Sequence, residues 1–305
     1  MKHQLRDIEY FSVVAEHGNL GRAAEALGLS QPALSKSLRR LEKSMEAKLV
    51  KRTFKGVELT AVGAALFSHV RRLRFALDDV TREVADLTHG RTGHLRVGTA
   101  PSLSICLLPT ACATLLKEAP RVTFKVTDLD RETALSALRH GELDFTLHAL
   151  QPSRREDLAE EYLCEEEFVV YASTGHRLAT KQQVTLADLA RERWAVNASS
   201  AVPVQRLRQS FLDAGLPPPE IAVETNALPL RLELLASSDL VGVTAKSLVR
   251  EAAARSGLVQ IPIKGWTYTR RAGVMYRKDA YLSPAAKRFI EILKATAKEI
   301  AKKQS

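Results

Sequence analysis

Hydrophobic residues recur along this chain in three rhythms, and each change of rhythm marks a change of architecture. From Leu5 to Met45 the apolar positions fall three and four apart, the spacing of helices that bury one face. Leu5, Ile8, Phe11 and Ala15 make the first such face. His17-Gly18-Asn19 interrupts it, and Asn19 is suited to cap a second helix that buries Leu20, Ala23, Ala24 and Leu27. The alanines matter because small side chains let two helices cross closely. Gly28-Leu29-Ser30 predicts a tight turn, with Ser30 capping a third helix and Pro32 in its first turn, where a missing N–H costs little. Leu34, Leu38, Leu41 and Met45 form the stripe of that helix expected to face the other two.

Two short runs follow, Leu49–Arg52 and Val57–Leu59, joined through Lys55-Gly56; they predict a β-hairpin. The second rhythm then begins. From Thr60 to about Thr88 there is no proline and a single early glycine, Gly63, while Leu66, Val70, Leu73, Leu77, Val80, Val84 and Leu87 alternate at four and three. That is a coiled-coil seam, with Arg71, Arg72, Arg74, Asp78, Asp79, Arg82, Glu83 and Asp86 expected on the wet side. Such a stripe needs a partner surface, either the rest of the chain or a second copy.

Past the polar hinge His89-Gly90-Arg91-Thr92-Gly93 the third rhythm sets in, short strands alternating with helices. Candidate strands are Leu95–Thr99, Val122–Asp128, Asp144–Ala149, Glu167–Ala172, Ala195–Asn197, Ile221–Thr225, Leu240–Val243, Val259–Ile263 and Gly273–Arg277, with a last helix from about Pro284 to Lys302. Alternation of this kind predicts a mostly parallel sheet with helices on its faces. The three rhythms divide the chain into 1–60, 61–90 and 91–305.

Composition narrows the function. A chain of 305 residues, 45% hydrophobic and 26% charged, suits two or three globular domains. No run approaches the roughly 18 apolar residues of a membrane span, so no membrane partner is expected. The N-terminus shows neither an uninterrupted apolar core nor a small-residue cleavage site, so the expected compartment is the cytoplasm. The net charge of +10 is by itself a weak pointer. Its distribution is stronger. Lys36, Arg39, Arg40, Lys43, Lys48, Lys51, Arg52 and Lys55 stand against Glu42 and Glu46 within residues 36–55. Lys36, Arg39 and Lys43 project opposite the leucine stripe, with Ser35 and Gln31 on the flank. An exposed helix of this kind suits a DNA major groove, where glutamine can pair with adenine and cations hold phosphates. The bland alternative is a solvated helix face.

The residues Phe11, Ala23-Ala24, Leu27, Ser30-Gln31-Pro32-Ala33-Leu34-Ser35, Leu41-Glu42, Leu49, Arg52, Leu59-Thr60 and Gly63 together resemble the LysR-type transcriptional regulators. Glu46, Lys48 and Val50 depart from the glycine, proline and phenylalanine usual in that family. The resemblance implies an α+β multidomain chain: an N-terminal winged helix-turn-helix, a long coiled-coil linker helix, and a C-terminal two-lobed α/β effector domain resembling type 2 periplasmic binding proteins. It assigns Gln31, Pro32, Ser35 and Lys36 to DNA reading and Arg52 to a wing contact; Ser30, Ala33, Arg39 and Lys55 complete the expected DNA surface. Leu95-Arg96-Val97-Gly98, Gly141–Phe145 and Gly175–Ala179 look like further family markers. Lobe I is expected at about 91–166 plus 268–305 and lobe II at about 167–267, with crossings near Cys164–Tyr171 and Ile261–Gly273. Expected partners are double-stranded operator DNA, a small effector and a second or fourth copy of the chain (homodimer or homotetramer), with RNA polymerase left open.

Within the C-terminal region two strand-to-helix turns are rich in hydroxyls, one carrying Thr99, Pro101, Ser102 and Leu103, the other Ser199, Ser200 and Val202. Unpaired N–H groups at such turns favour an anion, so an anionic effector, a carboxylate or sulfonate, is expected there. Serines at these places are also ordinary caps. His148 and Asn226, each at a strand end, are weighed as cleft residues or as plain structural ones. Two other functions are carried beside this one. Cys106, Cys112 and Cys164 could make a thiol redox sensor, although no CxxC or resolving pair is evident. A two-lobed enzyme or solute-binding protein would need a catalytic set or an export signal, and neither is found. No catalytic residue, cofactor or metal site is expected.

Overall fold

The computed structural model describes residues 2–54, 56–89, 93–151, 156–197, 201–250, 257–264, 266–278 and 280–302. The chain divides into two compact units, Met1–Val84 with Arg139–Glu142, and Ala85–Leu138 with Leu143–Ser305.

The first unit holds a head of α1 (Lys2–His17), α2 (Leu20–Ala26), α3 (Gln31–Ser44) and a hairpin of β1 (Val50–Thr53) and β2 (Gly56–Leu59). Phe11, Val14, Leu20, Ala23, Ala24, Leu34, Leu38, Leu41 and Leu49 form its core. Burial of a full leucine side chain contributes about 1.5–3 kcal/mol, so the three α3 leucines anchor that helix firmly. The buried line on α1 differs from the expected one. It runs through Asp7, Phe11 and Val14, while Leu5 is half exposed, a rotation of about a quarter turn. The cause is polar: buried Asp7 accepts hydrogen bonds from Ser37 Oγ at 2.5 Å and Arg40 Nε at 2.6 Å, tying α1 to α3.

Caps delimit the head's helices. Asn19 Oδ1 accepts the N–H groups of Gly21 and Arg22, and Ser30 Oγ that of Ala33. Helix α2 ends in a left-handed residue, Gly28, with Leu29 N–H reaching back to the Ala24 carbonyl. Helix α3 ends the same way: Ala47 N–H bonds the Glu42 carbonyl, and Glu46 carries the positive φ of 51°. Met45 therefore caps α3 and is 43% exposed, not part of the inward stripe.

Helix α4 (Ala61–His89) runs for 29 residues, about 43 Å at 1.5 Å per residue. Thr60 Oγ1 accepts the Gly63 N–H, and Gly63 lies so close to the Leu49 carbonyl that a Cβ would meet that oxygen at 1.9 Å. The heptad positions of α4 fall into two groups. Leu66 packs on the head core and Val70 is buried, whereas Leu73, Leu77, Val80 and Val84 are each about half exposed. The Leu87 side chain lies outside the described residues. Asp79, expected on the wet side, is buried instead.

In the second unit the strands are β3 (His94–Thr99), β4 (Thr123–Asp128), β5 (Phe145–Ala149), β6 (Leu158–Ser173), β7 (Arg193–Val196), β8 (Glu220–Glu224), β9 (Val241–Ala245), β10 (Leu258–Ile261) and β11 (Tyr268–Arg277). The helices are α5 (Pro101–Cys106), α6 (Leu108–Glu118), α7 (Arg131–Arg139), α8 (Leu186–Leu189), α9 (Ala201–Asp213), α10 (Leu228–Ala236) and α11 (Pro284–Lys302). The strands form one sheet in the order β4-β3-β5-β11-β6-β9-β7-β8, with β10 also on β6. The expectation of a mostly parallel sheet is corrected. Parallel pairs, β3 with β4 and β5, and β7 with β8 and β9, make the two wings, but β11 and β6 join them through antiparallel ladders. Two cores result. One holds Leu95, Val97, Phe145, Leu163, Ala272, Val274 and Phe289; the other holds Phe168, Val170, Trp194, Phe211, Val243, Ile261 and Trp266. Strand β6 thus leaves the first core after Leu163 and enters the second at Phe168, and the chain returns between Trp266 and Ala272.

Candidate DNA interface and effector cavity

On α3 the leucine stripe is buried, so the opposite side faces outward. Gln31, Pro32, Ala33, Lys36, Arg39 and Lys43 are all exposed, and Ser30 is exposed at the cap. Lys36, Arg39 and Lys43 have no ion-pair partner among the described residues. The other cations nearby are already engaged: Arg40 with Asp7, Lys48 with Glu42 at 2.8 Å, and Lys51 with Glu58 at 2.8 Å. Among the described side chains of α3 and the hairpin, the unpaired positive charge is therefore concentrated on one face of one helix, with a glutamine at its N-terminal end. Ser35, expected to share that face, is buried, because its small side chain sits at the edge of the core-facing arc. Arg52 stands on β1 with its side chain outside the described residues, and Lys55 lies outside them altogether. Phe54, at the hairpin tip, is 95% exposed.

The second unit carries a cavity of about 610 Å³ at the ends of β5, β7 and β9, lined by Phe168, Val243 and Ala245 of the second core and by Leu129 and Leu150, which pack on a smaller cluster around Leu135. Open α/β sheets place ligand sites at such strand ends. Of the sequence candidates, Pro101, Ser102, His148 and Val202 line it. Three others do not. Thr99 is fully buried and donates its hydroxyl to the Ala100 carbonyl, Leu103 turns toward a different cavity, and Asn226 is exposed elsewhere. Ser199 and Ser200 lie outside the described residues. Ser102 is not a cap: the N-cap position of α5 belongs to Ala100, and no side chain bonds there.

The residues that dominate the wall were not among the candidates. Arg131, Arg206, Arg231 and Arg270 line it against the carboxylates Asp130 and Glu132. They come from α7, α9, α10 and β11, so nothing in the linear order gathers them. Arg231 is only 3% exposed; it donates to the Thr225 carbonyl at 3.3 Å, and its Nε has no hydrogen-bond partner among the described groups. Arg270 binds Glu166 at 2.8 Å and lies 4.7 Å over the Phe168 ring. His148 is 3% exposed with an unpartnered Nε2. Burial pushes its pKa down to about 4, helped by Arg270 and Arg131 and opposed by Asp130. His148 is thus neutral near pH 7, and the charge of the lining is that of its four guanidiniums set against Asp130 and Glu132. Burying a guanidinium without a counter-charge is costly, so an anion arriving here would regain what the folded chain forgoes.

The thiols are less suited to chemistry. Burial raises the pKa of Cys112, and it pushes that of Cys164 up to about 12, with Glu166 and Cys106 adding to the rise. Both are poor thiolates at neutral pH. No metal-holding group of three or more His, Cys, Asp or Glu residues occurs among the described residues, and no described helix is long and apolar enough to cross a membrane.

Residues 5–64 match the family described as bacterial regulatory helix-turn-helix proteins of the lysR family, and residues 88–298 match the LysR substrate binding domain. The HTH-type transcriptional regulator ShiR of Corynebacterium glutamicum is 33% identical over 282 residues, 91% of this chain and 94% of that protein. The regulator GbpR of Azospirillum brasilense is 28% identical over 297 residues, 96% of this chain and 86% of that one. A probable hydrogen peroxide-inducible genes activator of Mycobacterium xenopi is 36% identical over 180 residues, 59% of this chain and 95% of that one. The crystal structure of CbnR, a LysR family transcriptional regulator, superposes with a TM-score of 0.70 at 21% identity, covering 96% of this chain and 99% of CbnR. Full-length CbnR complexed with its target DNA gives 0.71 at 22% identity, with the same coverage of each chain.

Proposed function

The chain belongs to the LysR family of DNA-binding transcription regulators, and from that premise we propose that it reads operator DNA through α3 under the control of a small anionic effector. The observation that carries the effector half is the cavity wall itself, four guanidiniums against two carboxylates with Arg231 buried and without a carboxylate partner among the described residues. A low-dielectric cleft with an excess of one sign of charge concentrates ions of the other sign. A carboxylate or sulfonate fits, because its planar or trigonal oxygens match the fork of a guanidinium. On the DNA side, Gln31 would read a base edge while Lys36, Arg39 and the wing hold phosphates. The exposed seam of α4 would be covered by the same helix of a second copy, which sets two heads on a two-fold symmetric site. Effector binding would shift the population between arrangements of the two cores, and α4 would carry that shift to the spacing of the heads.

Isothermal titration of the full chain with a panel of carboxylates, sulfonates and their neutral amides tests the effector reading. Acids are expected to bind, and Arg231→Gln to abolish that binding with the fold intact. Binding confined to neutral compounds would overturn it. Selection of duplexes from a random pool, repeated with Gln31→Ala, tests the DNA reading. A thiol-sensing role has less support, since two of the three thiols are held protonated; it predicts loss of response when all three cysteines become serine.

A further inference from the structure

A second and larger cavity, about 850 Å³, lies beside the first. Its volume is within the range of about 300–1,000 Å³ typical of small-molecule sites. Leu103, Leu107 and Leu163 come from the first core, and Val249 and Leu258 from a separate buried cluster that also holds Tyr171 and Leu235. Most of this lining is apolar. The exception at depth is Glu166, which is 6% exposed: its Oε2 takes Arg270 at 2.8 Å, but its Oε1 has no hydrogen-bond partner among the described groups. A buried carboxylate oxygen left without a donor is an unsatisfied demand, and it is the kind of group a ligand or ordered water completes. Of the remaining charges, Lys246 is paired with Glu167 at 2.7 Å, and Glu165, Lys298 and Arg250 are exposed.

We infer that this cavity is a second small-molecule site, distinct from the arginine-lined one, which takes an apolar molecule carrying a hydrogen-bond donor (an amine or hydroxyl) directed at Glu166. The two sites differ in the sign of what they want. The arginine cavity calls for an acceptor with negative charge; this one calls for a donor on an apolar body and discriminates against acids, which would set two carboxylates together. The cavities also share structure. Ser102 lines both, and the Glu166–Arg270 pair joins them, Glu166 on one wall and Arg270 on the other. A donor that engages Glu166 would loosen its hold on Arg270, so a molecule in either cavity would be felt in the other.

The cavity supplies its own reporter, because Cys106 lines it. In a Cys112→Ser chain, methylthiolation of Cys106 by methyl methanethiolsulfonate is followed by peptide mass spectrometry. The added probes are benzylamine, benzyl alcohol, toluene and benzoate, each at the same concentration. Benzylamine and benzyl alcohol are expected to slow the modification, and toluene and benzoate to leave it unchanged. Glu166→Gln should weaken benzylamine protection by about tenfold, the loss of one charge-assisted hydrogen bond, and benzyl alcohol protection by less. Cys106→Trp, which fills the space, should abolish benzylamine binding measured by calorimetry, and it serves where Glu166→Gln fails to fold. Equal protection by benzoate or toluene, no protection by either donor, or undiminished benzylamine binding in Cys106→Trp would overturn the assignment. The acid reading is tested at Arg231, which lines the arginine cavity and not this one, so the two readings fail separately.

Discussion

The carboxylate of Glu42, near the end of α3, accepts the backbone N–H of Leu49 at 3.0 Å, the residue that leads into the hairpin. The same carboxylate takes the Val50 N–H and the Lys48 ammonium. One side chain therefore sets the angle between α3 and the hairpin. Burial raises its pKa, but the Lys48 and backbone hydrogen bonds outweigh this and hold it below the usual carboxylate range. A folded-state pKa below the unfolded one means that the stabilisation is complete above about pH 4.5 and is lost as pH falls through the folded value. Glu42→Ala should cost about 1–3 kcal/mol by leaving buried N–H groups unsatisfied. Amide protection factors at Leu49 and Val50, lower in the variant and lower in wild type on acidification, check it.

Glu46 holds a left-handed backbone at φ 51° where α3 ends. Glutamate is strained there and glycine is not, so Glu46→Gly should stabilise the head by about 1 kcal/mol. Gly63→Ala should do the opposite, since its Cβ would fall 1.9 Å from the Leu49 carbonyl oxygen; about 1–3 kcal/mol is expected from overpacking. Thermal unfolding followed at the head distinguishes the two by sign.

Gln31 and Lys36 lie on the same exposed face of α3 but should fail differently. Gln31→Ala is expected to remove about 1–3 kcal/mol of discrimination at one base pair. Lys36→Ala or Arg39→Ala should weaken specific and random DNA alike and lower the salt slope by about one. Fluorescence anisotropy on both duplexes across a salt series separates these patterns; identical behaviour of all three variants would contradict the assignment.

Leu77 and Val80 are 59% and 56% exposed at the middle of the heptad seam. If a second copy covers them, Leu77→Glu should shift the chain toward monomer in sedimentation velocity and weaken binding to a two-fold site more than to a half-site. An unchanged sedimentation coefficient would place the partner of this stripe elsewhere.

His148 should remain neutral down to about pH 4. Because its folded pKa is depressed, it contributes stability above about pH 6.5 that declines as pH falls toward 4. Imidazole nitrogen shifts followed by NMR should show no titration between pH 5.5 and 8. His148→Gln should flatten the acid side of the stability profile.

The head could be read largely from its linear pattern because its interactions are local. Leu34, Leu38 and Leu41 lie on one turn-by-turn stripe, and Asn19, Ser30 and Gly28 act within a few residues of where they stand. The reading went astray where a distant partner intervened. Asp7 reaches Ser37 and Arg40 some thirty residues away, and this turned the buried line of α1 by a quarter. Ser35 looked like a flank position, but only the packed neighbours decide that a side chain so small is covered.

The amino-acid sequence by itself marked most of the strands, the long helix with its apolar seam, and the basic face of α3, since periodicity and capping act between near neighbours along the chain. It did not show the first halves of β6 (Leu158–Ser173) and β11 (Tyr268–Arg277), which only their mutual ladder creates. Only the tertiary structure decided the two cavities and their chemistry. Arg131, Arg206, Arg231 and Arg270 belong to four different elements, and Glu166 faces Arg270 across a ladder more than a hundred residues long in sequence. Charge and desolvation depend on distance in space, and no linear spacing encodes that distance until strands β6 and β11 bring the two halves together.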